Sequence, residues 1–195
     1  MEKNRLEAFS DGVLAIIITI MVLELRPPPA VDLAGLKPLL PVFLSYMLSF
    51  IYLGIYWNNH HHMFHATRHV TGGILWANLH LLFWLSLFPF VTGWMGENHF
   101  APGPVALYGA ILLMAAIAYY ILTRVLLSSH GPESDLAKAL GSDFKGRVSI
   151  ALYAAGIALA FVQPWTALAL YVLVAGFWLV PDRRFERVLL ARTPD

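Results

Sequence analysis

The chain contains no cysteine and few charged residues. Of its 195 residues, 13 are Lys or Arg and 12 are Asp or Glu, so 13% are charged. An average soluble domain is about one quarter charged. The absence of cysteine excludes disulfides, thiolate nucleophiles and thiolate metal ligands. The net charge of +1 gives no basis for binding nucleic acid, so no nucleic-acid partner is expected.

Long apolar segments make up most of the chain. Hydrophobic residues account for 58% of it, and its mean hydropathy is +0.65. A helix that crosses a bilayer needs about 20 mostly apolar residues. Six stretches meet this requirement, with approximate bounds 6–25, 39–57, 71–92, 103–127, 146–162 and 164–180. They predict an all-α membrane protein in which residues 1–195 form a single domain of six transmembrane helices surrounded by membrane lipids.

Proline-rich and polar segments separate the predicted spans. The prolines after Arg26 end the first span, because consecutive prolines cannot continue a helix. The polar run Asn58–His62 is expected to end the second span, and Pro89 is expected to kink the third. A re-entrant hairpin is an alternative for the fifth and sixth spans, since only a short break at Pro164 divides them. The first apolar run is too long for a signal peptide, so we expect it to be retained.

The distribution of basic residues predicts that both termini are cytoplasmic. With a cytoplasmic N-terminus, the outer loops hold only Arg26 and Lys37, and the inner segments hold the other eleven basic residues. These eleven are Lys3, Arg5, Arg68, Arg124, Lys138, Lys145, Arg147, Arg183, Arg184, Arg187 and Arg192. Such a positive-inside bias orients membrane proteins. The expected location is the inner (plasma) membrane of the cell, crossed several times.

An acidic residue lies just inside the first predicted span. A carboxylate there costs about 2.5–3.5 kcal/mol, so Asp11 is expected to have a partner. Arg5 and a His or Trp of another helix are the candidates, and a pore-facing role as a cation attractor is the alternative. Asn78 and His80 lie inside the third span and also need partners. We expect them to belong to the same polar network.

The first span also carries a regular seam. Gly12, Ile16, Thr19 and Leu23 follow one another at spacings of 4, 3 and 4, which places them on one face of a helix. One interpretation is ordinary packing, with the Thr hydroxyl bonded to a carbonyl of its own helix. The other is that symmetry-related copies line a pore, with apolar rings on either side of a polar ring. The opposite face carries Leu14, Ile17, Ile18, Met21 and Leu25.

Two further groups of polar residues invite functional hypotheses. The run His60–His62 with His65 suggests a zinc or copper site, because imidazole suits both metals. Carboxylates are scarce nearby and cysteine is absent, so we expect no metal, and a pH effect is the favoured role. Glu24 follows the seam at its outer end. It could form an acidic ring that attracts cations, or it could be a headgroup-level charge paired with Arg26.

Several motifs resemble one membrane-protein family. The first is Arg5-x-x-x-Phe9-Ser10-Asp11, continuing through Ala15-Ile16-x-x-Thr19-x-x-x-Leu23. It resembles the first helix of the transmembrane protein 175 family of potassium channels. The family's second and third helices are similar to Trp57-x-x-His60-His61-x-x-Phe64, Trp76-x-Asn78-Leu79-x-x-Leu82 and Phe88-Pro89-Phe90. The resemblance covers the first half of the chain well and the rest only by topology.

The resemblance implies a potassium-selective cation channel of the prokaryotic, single-repeat branch. It implies a homotetramer whose first helices line a central pore, with potassium as the permeant ion and no cofactor. The hydrophobic constriction would fall on Ile16, the selectivity-associated threonine on Thr19 and an outer apolar layer on Leu23. The segment from Phe9 to Asp11 would anchor the pore helix. The chain contains no Thr-Val-Gly-Tyr-Gly sequence, so selection would not use a cage of carbonyls.

Two other classes of function compete with a potassium channel. One is a proton-conducting channel or secondary transporter that uses Asp11 and the membrane histidines. The internal repeats common in transporters are not evident in the sequence. The other is a membrane metalloenzyme built on the histidine cluster. The sequence contains no Walker loop, Gly-x-Ser-x-Gly or zincin motif, so we expect no enzymatic activity.

Overall fold

The computed structural model describes residues 3–67, 69–131, 134 and 144–179, and the regular structure in these ranges is entirely helical. The α-helices are α1 (Lys3–Leu23), α2 (Leu40–His65), α3 (Gly72–Ser86), α4 (Phe88–Glu97), α5 (Pro102–His130), α6 (Phe144–Ala160) and α7 (Pro164–Leu179). A 3₁₀ helix, Leu33–Leu39, leads directly into α2. The prediction of an all-α membrane protein is confirmed for the part of the chain that is described.

Four helical segments are long and apolar enough to cross a bilayer, judged on the described residues. They are Lys3–Leu23, Leu33–His65, Gly72–Glu97 and Pro102–His130. The predicted spans 146–162 and 164–180 correspond to α6 and α7, which have 17 and 16 residues. Within the described residues, both are shorter than the about 20 residues that a perpendicular crossing needs. The chain is therefore a multi-pass membrane protein, and six complete crossings remain a prediction.

The end predicted for the second span is wrong. Helix α2 does not stop at Asn58 but continues to His65, because this polar run is compatible with a helix and is partly packed. The Asn59 side-chain amide donates to the Ile55 carbonyl at 2.8 Å, one turn earlier. Met63 is fully buried one turn later. Polar composition here did not mark the end of the helix.

The third predicted span is divided into two helices. Helix α3 ends at Ser86 and α4 begins at Phe88, so Pro89 lies in the first turn of α4. Proline is tolerated there because the first backbone N–H groups of a helix have no intrahelical partner. The expected kink is thus a break between two helices. Helix α4 runs on to Glu97, past the predicted end of the third span at residue 92.

Close packing through glycines and tyrosine hydroxyls joins the C-terminal helices to α2. The Tyr171 ring lies against Gly109 and Gly156, where a Cβ atom on either glycine would overlap the ring. The Tyr52 hydroxyl donates to the Tyr171 carbonyl at 2.6 Å and accepts from the Tyr153 hydroxyl at 3.3 Å. These bonds link α2, α6 and α7 in the protein interior. Helix α1 lies on the other side of α2 and packs against α2, α3 and α4.

Some basic residues used for the orientation lie outside the described residues. They are Arg68, Lys138, Arg183, Arg184, Arg187 and Arg192. The cytoplasmic placement of both termini therefore stays a prediction from the sequence.

Candidate functional site

Helix α1 has one buried face and one exposed face. The buried face carries Leu6, Ser10, Leu14, Ile17 and Met21, which pack against the neighbouring helices. The predicted seam lies on the exposed face, and there Ile16 is 60% exposed and Leu23 is 74% exposed. Thr19, between them, and Gly12, one turn before Ile16, are also exposed. The structure therefore turns the whole seam away from the protomer's own core.

The exposed face of α1 differs in composition from the other exposed apolar surfaces. Between its large residues it carries Gly12, Ala15 and Thr19. Exposed positions on α2, α3 and α4 carry bulky aromatics instead, among them Phe43, Phe50, Trp57, Trp76, Phe83, Phe90 and Trp94. Small residues allow helices to approach one another closely in a membrane. This composition favours contact with other helices around an axis over contact with lipid.

Thr19 forms the local hydrogen bond that the packing interpretation requires. Its hydroxyl donates to the Ala15 carbonyl at 2.8 Å. A hydroxyl that donates its one proton still has acceptor lone pairs. The exposed oxygen of Thr19 can therefore also accept from water or contact a cation, and the bond is compatible with both interpretations.

A buried chain of hydrogen bonds fixes the N-terminal half of α1. The Ser10 hydroxyl donates to the Leu6 carbonyl at 2.9 Å, and the Asn78 amide donates to Ser10 at 3.0 Å. His60 Nε2 lies 2.7 Å from the Asn78 oxygen. A carboxamide oxygen can only accept, so Nε2 carries a proton. Because Ser10, Asn78 and His60 are all buried, this chain ties α1 to both α2 and α3.

Asp11 makes a second link between α1 and α2. Its Oδ1 accepts from Trp57 Nε1 at 3.1 Å, so a Trp of another helix occupies this position. Arg5 is not within ion-pair distance of Asp11. At this end of α1, the ion pair among the described residues joins Lys3 to Glu7 at 4.0 Å.

Phe9 and Arg5 lie outside the buried chain, although they belong to the same sequence motif. Phe9 is half exposed. The Arg5 side chain is exposed, and no hydrogen bond or ion pair joins it to any described residue. The motif is therefore divided: Ser10 faces the neighbouring helices, and Arg5 and Phe9 face outward.

The structure does not join His80 to the Ser10–Asn78 pair. The His80 ring accepts from Trp84 Nε1 at 3.0 Å, one turn further along the same helix. His60 takes the position expected for His80; in the sequence it stood out only in the histidine cluster and in the motif that begins at Trp57. The sequence did carry one indication of this role for His60. It lies three residues after Trp57, so the two residues share one face of α2.

The histidine cluster is divided between different neighbours. His60 bonds to Asn78 in the core, and the His61 ring stacks on Trp57 with ring centroids 6.2 Å apart. In the ranges that the structure covers, no three His, Asp or Glu side chains gather where they could hold a metal. This arrangement does not support the metalloenzyme hypothesis.

Glu24 lies in a cleft at the other end of α1. The cleft has a volume of about 410 Å³ and is lined by Ile20, Leu23, Glu24, Arg26, Phe90, Gly93, Trp94 and Glu97. No ion pair joins Glu24 to Arg26 among the described residues. Partial burial raises the pKa of the Glu24 carboxyl, and the nearby charge of Glu97 raises it further. At this end of α1, two acidic residues, Glu24 and Glu97, therefore lie in one cleft beside the seam.

Comparison with known proteins places this geometry in a family. The family model described as "Endosomal/lysosomal potassium channel TMEM175" matches residues 5–89, which contain most of α1 and both of its anchoring links. A potassium channel of Chryseobacterium sp. (strain P1-3) is 58% identical over 189 residues, covering 97% of this chain and 98% of that protein. A potassium channel of Streptomyces collinus (strain DSM 40733 / Tue 365) is 31% identical over 197 residues, covering 92% of this chain and 94% of that protein.

A solved structure and an animal protein extend the comparison. The crystal structure of a lysosomal potassium-selective channel TMEM175 homolog from Chamaesiphon minutus matches with a TM-score of 0.79 and 28% identity, covering 92% of this chain and 97% of that one. The endosomal/lysosomal proton channel TMEM175 of Danio rerio is 37% identical over 81 residues, 35% of this chain and 16% of that protein. The resemblance found in the sequence motifs is confirmed. The chain belongs to the TMEM175 family.

Proposed function

We propose that this protein is a potassium-selective cation channel in which α1 helices from four identical protomers line a central pore. The observation that carries the proposal is the exposed face of α1, which combines Ile16 and Leu23 with small and polar residues. Relatives named potassium channels cover nearly the whole chain. The proposed location is the inner (plasma) membrane, with both termini in the cytoplasm. The channel needs no cofactor, and potassium is the permeant ion.

In this arrangement Ile16 forms the hydrophobic constriction. Leu23 lies two turns away, about 10 Å along the helix axis, and forms an outer apolar layer. Four Ile side chains around an axis exclude water when the pore is narrow, and such a constriction can gate by dewetting. The radius of the constriction would depend on the angle at which α1 is held.

Thr19 supplies a polar ring between the two apolar layers. Helix α1 is continuous from Lys3 to Leu23, so its carbonyls are engaged in intrahelical bonds and cannot form a cage around an ion. The exposed Thr19 oxygen is the polar side-chain atom available on this stretch of the seam. Selection would then combine pore diameter with hydroxyl contacts.

Ser10 and Asp11 act as the anchor of the pore helix in this proposal. The bond from Asn78 to Ser10 fixes the rotation of α1 against α3, and the bond from Trp57 to Asp11 fixes it against α2. Rotation by one residue is about 100°. Such a rotation would break both bonds and would turn Ile16 away from the axis.

Reconstitution into liposomes tests the proposed function. Under potassium–sodium bi-ionic conditions we expect a reversal potential far from zero, with the sign of a membrane that passes potassium in preference to sodium. Ile16→Asn should hydrate the constriction, raise the single-channel conductance several-fold and weaken selectivity. Val22→Asn is the matched control, since Val22 is exposed on the same helix but about 120° away from Ile16 on the helical wheel. Unchanged conductance and permeability ratios in Ile16→Asn would show that Ile16 is not the narrow point.

Proton conduction is the second candidate function. Animal relatives named proton channels match the first part of the chain, and Asp11 lies beside the buried chain that contains His60. Proton flux in the absence of potassium, abolished by Asp11→Asn in a normally assembled protein, would favour this candidate. Proton flux that Asp11→Asn leaves intact would exclude the role of Asp11 in it.

A further inference from the structure

Arg5 lies on the face of α1 that is proposed to line the pore. Helix α1 is unbroken from Lys3 to Leu23, and the steps from Arg5 to Gly12, Ile16, Thr19 and Leu23 are 7, 4, 3 and 4 residues. At 3.6 residues per turn, all five positions fall within an arc of about 60°. The seam therefore continues beyond the apolar layers and ends on a cationic side chain.

Lys3 provides an internal contrast at the same end of the helix. Lys3 donates to the His65 carbonyl at 3.1 Å and pairs with Glu7 at 4.0 Å, so it is held against α2. Residues two apart on a helix point about 200° apart. Arg5 therefore points away from the side on which Lys3 contacts α2. Its exposed guanidinium has no hydrogen-bond or ion-pair partner among the described residues.

Among the described residues, the acids near Arg5 are engaged elsewhere. Glu7 lies on the side of α1 that faces α2 and pairs with Lys3. Asp11 is about 100° from Gly12 on the helical wheel and accepts from Trp57. His65, on α2, contacts Lys3 through its backbone carbonyl. None of these groups neutralises Arg5 within the protomer.

We propose that four Arg5 guanidiniums form a positively charged ring at the N-terminal mouth of the pore and make the channel rectify. This inference rests on the proposed function. A ring of like charge lowers the local concentration of cations at one mouth, whereas Glu24 and Glu97 raise it at the other. Arg5 is about 16 Å along the axis from Ile16, so the ring lies in the entrance and not in the constriction.

The favoured direction of current follows from this asymmetry. The local concentration of potassium is raised at the Glu24 mouth and lowered at the Arg5 mouth. More potassium is therefore available to enter from the Glu24 end than from the Arg5 end. With the N-terminus in the cytoplasm, the larger current is inward. Rectification should weaken as the salt concentration rises, because the Debye length falls from about 30 Å at 0.01 M to about 3 Å at 1 M.

Single-channel recording in planar bilayers with symmetrical potassium chloride tests the ring. The ratio of currents at opposite voltages is read for each channel, at about 0.01 M and about 1 M salt. A Leu23→Cys background, blocked by an impermeant thiol reagent from one chamber, identifies the outer mouth, since the chain has no other cysteine. We expect a ratio of about two or more at low salt, near one at high salt.

Arg5→Gln and Lys3→Gln each remove one positive charge, so comparing them distinguishes a charged ring at Arg5 from a structural role of this end of α1. Arg5→Gln should bring the low-salt ratio close to one, Arg5→Lys should preserve it, and Lys3→Gln should leave it unchanged. A linear current–voltage relation of the unmodified channel at low salt overturns the proposal without any variant. An equal effect of Arg5→Gln and Lys3→Gln overturns it too. Ile16→Asn distinguishes failure of the ring proposal from failure of the proposed pore. If Ile16→Asn raises conductance but the unmodified channel does not rectify, the Arg5 ring is excluded and the pore lined by α1 is retained.

Discussion

The two faces of α1 differ less in hydrophobicity than in what they contact. The buried face includes Ser10, which is hydrogen-bonded at both its donor and acceptor sides. The exposed face includes Ile16 and Leu23, two of the most exposed large apolar residues of the helix. The buried face therefore holds α1 against its own protomer, and the exposed face is the one that we propose to line the pore.

The largest effect is expected on the buried face. Asn78→Leu removes the partner of both His60 and Ser10, and each buried polar group left unsatisfied costs about 1–3 kcal/mol. We expect loss of the assembled channel on size-exclusion chromatography in detergent and a lower unfolding temperature. Asn59→Leu is the matched control, because Asn59 bonds only to its own helix at Ile55. Equal losses in the two variants would contradict an anchoring role for Asn78.

A smaller effect is expected from the polar position of the exposed face. Thr19→Val keeps the size of the side chain and removes the exposed hydroxyl. A hydroxyl contact contributes about 1 kcal/mol, so the potassium-over-sodium permeability ratio should fall several-fold while expression and assembly stay normal. Thr19→Ser should keep most of the selectivity. An unaltered bi-ionic reversal potential in Thr19→Val would exclude Thr19 from selection.

The smallest effect is expected at Glu24, beside the exposed face. Because partial burial and Glu97 raise its pKa, Glu24 is negative above that raised pKa and becomes neutral as the pH falls through it. Conductance at low ionic strength should therefore fall with acidification of the outer side, starting above the usual carboxyl range. Glu24→Gln should remove this step and lower conductance at neutral pH.

Asp32→Asn is the control for Glu24. Asp32 caps the 3₁₀ helix by accepting from the Gly35 N–H at 3.1 Å and does not line the cleft. It should leave the pH response unchanged. An acid response that survives in Glu24→Gln would assign the titration to another group.

The sequence predicted the outward face of α1 because helical periodicity is local. The spacing of Gly12, Ile16, Thr19 and Leu23 requires only that α1 is a regular helix, and the structure shows one. The resemblance of the opening motif to one family needed no three-dimensional contact either. The use of these residues for permeation remains the proposal argued above.

The partners of the polar residues could not be predicted in the same way. His60 and Asn78 are 18 residues apart on different helices, and their meeting depends on how α2 and α3 are packed. His80 has the same residue type but finds Trp84 on its own helix. The sequence predicted a kink at Pro89, and the structure has a break before it. Whether it produced a kink or two helices depended on how neighbouring helices accommodate the proline, which no local pattern records.

Substituted-cysteine accessibility tests the difference between the two faces most directly. The chain has no cysteine, so each introduced thiol is the only one present. Cysteines are placed at Ile16, Thr19 and Leu23 on one face, and at Leu14, Ile17 and Met21 on the other. We predict that a water-soluble thiol reagent blocks potassium current through the first set and spares the second. Block confined to the second set, or equal in both, would contradict a pore lined by the exposed face of α1.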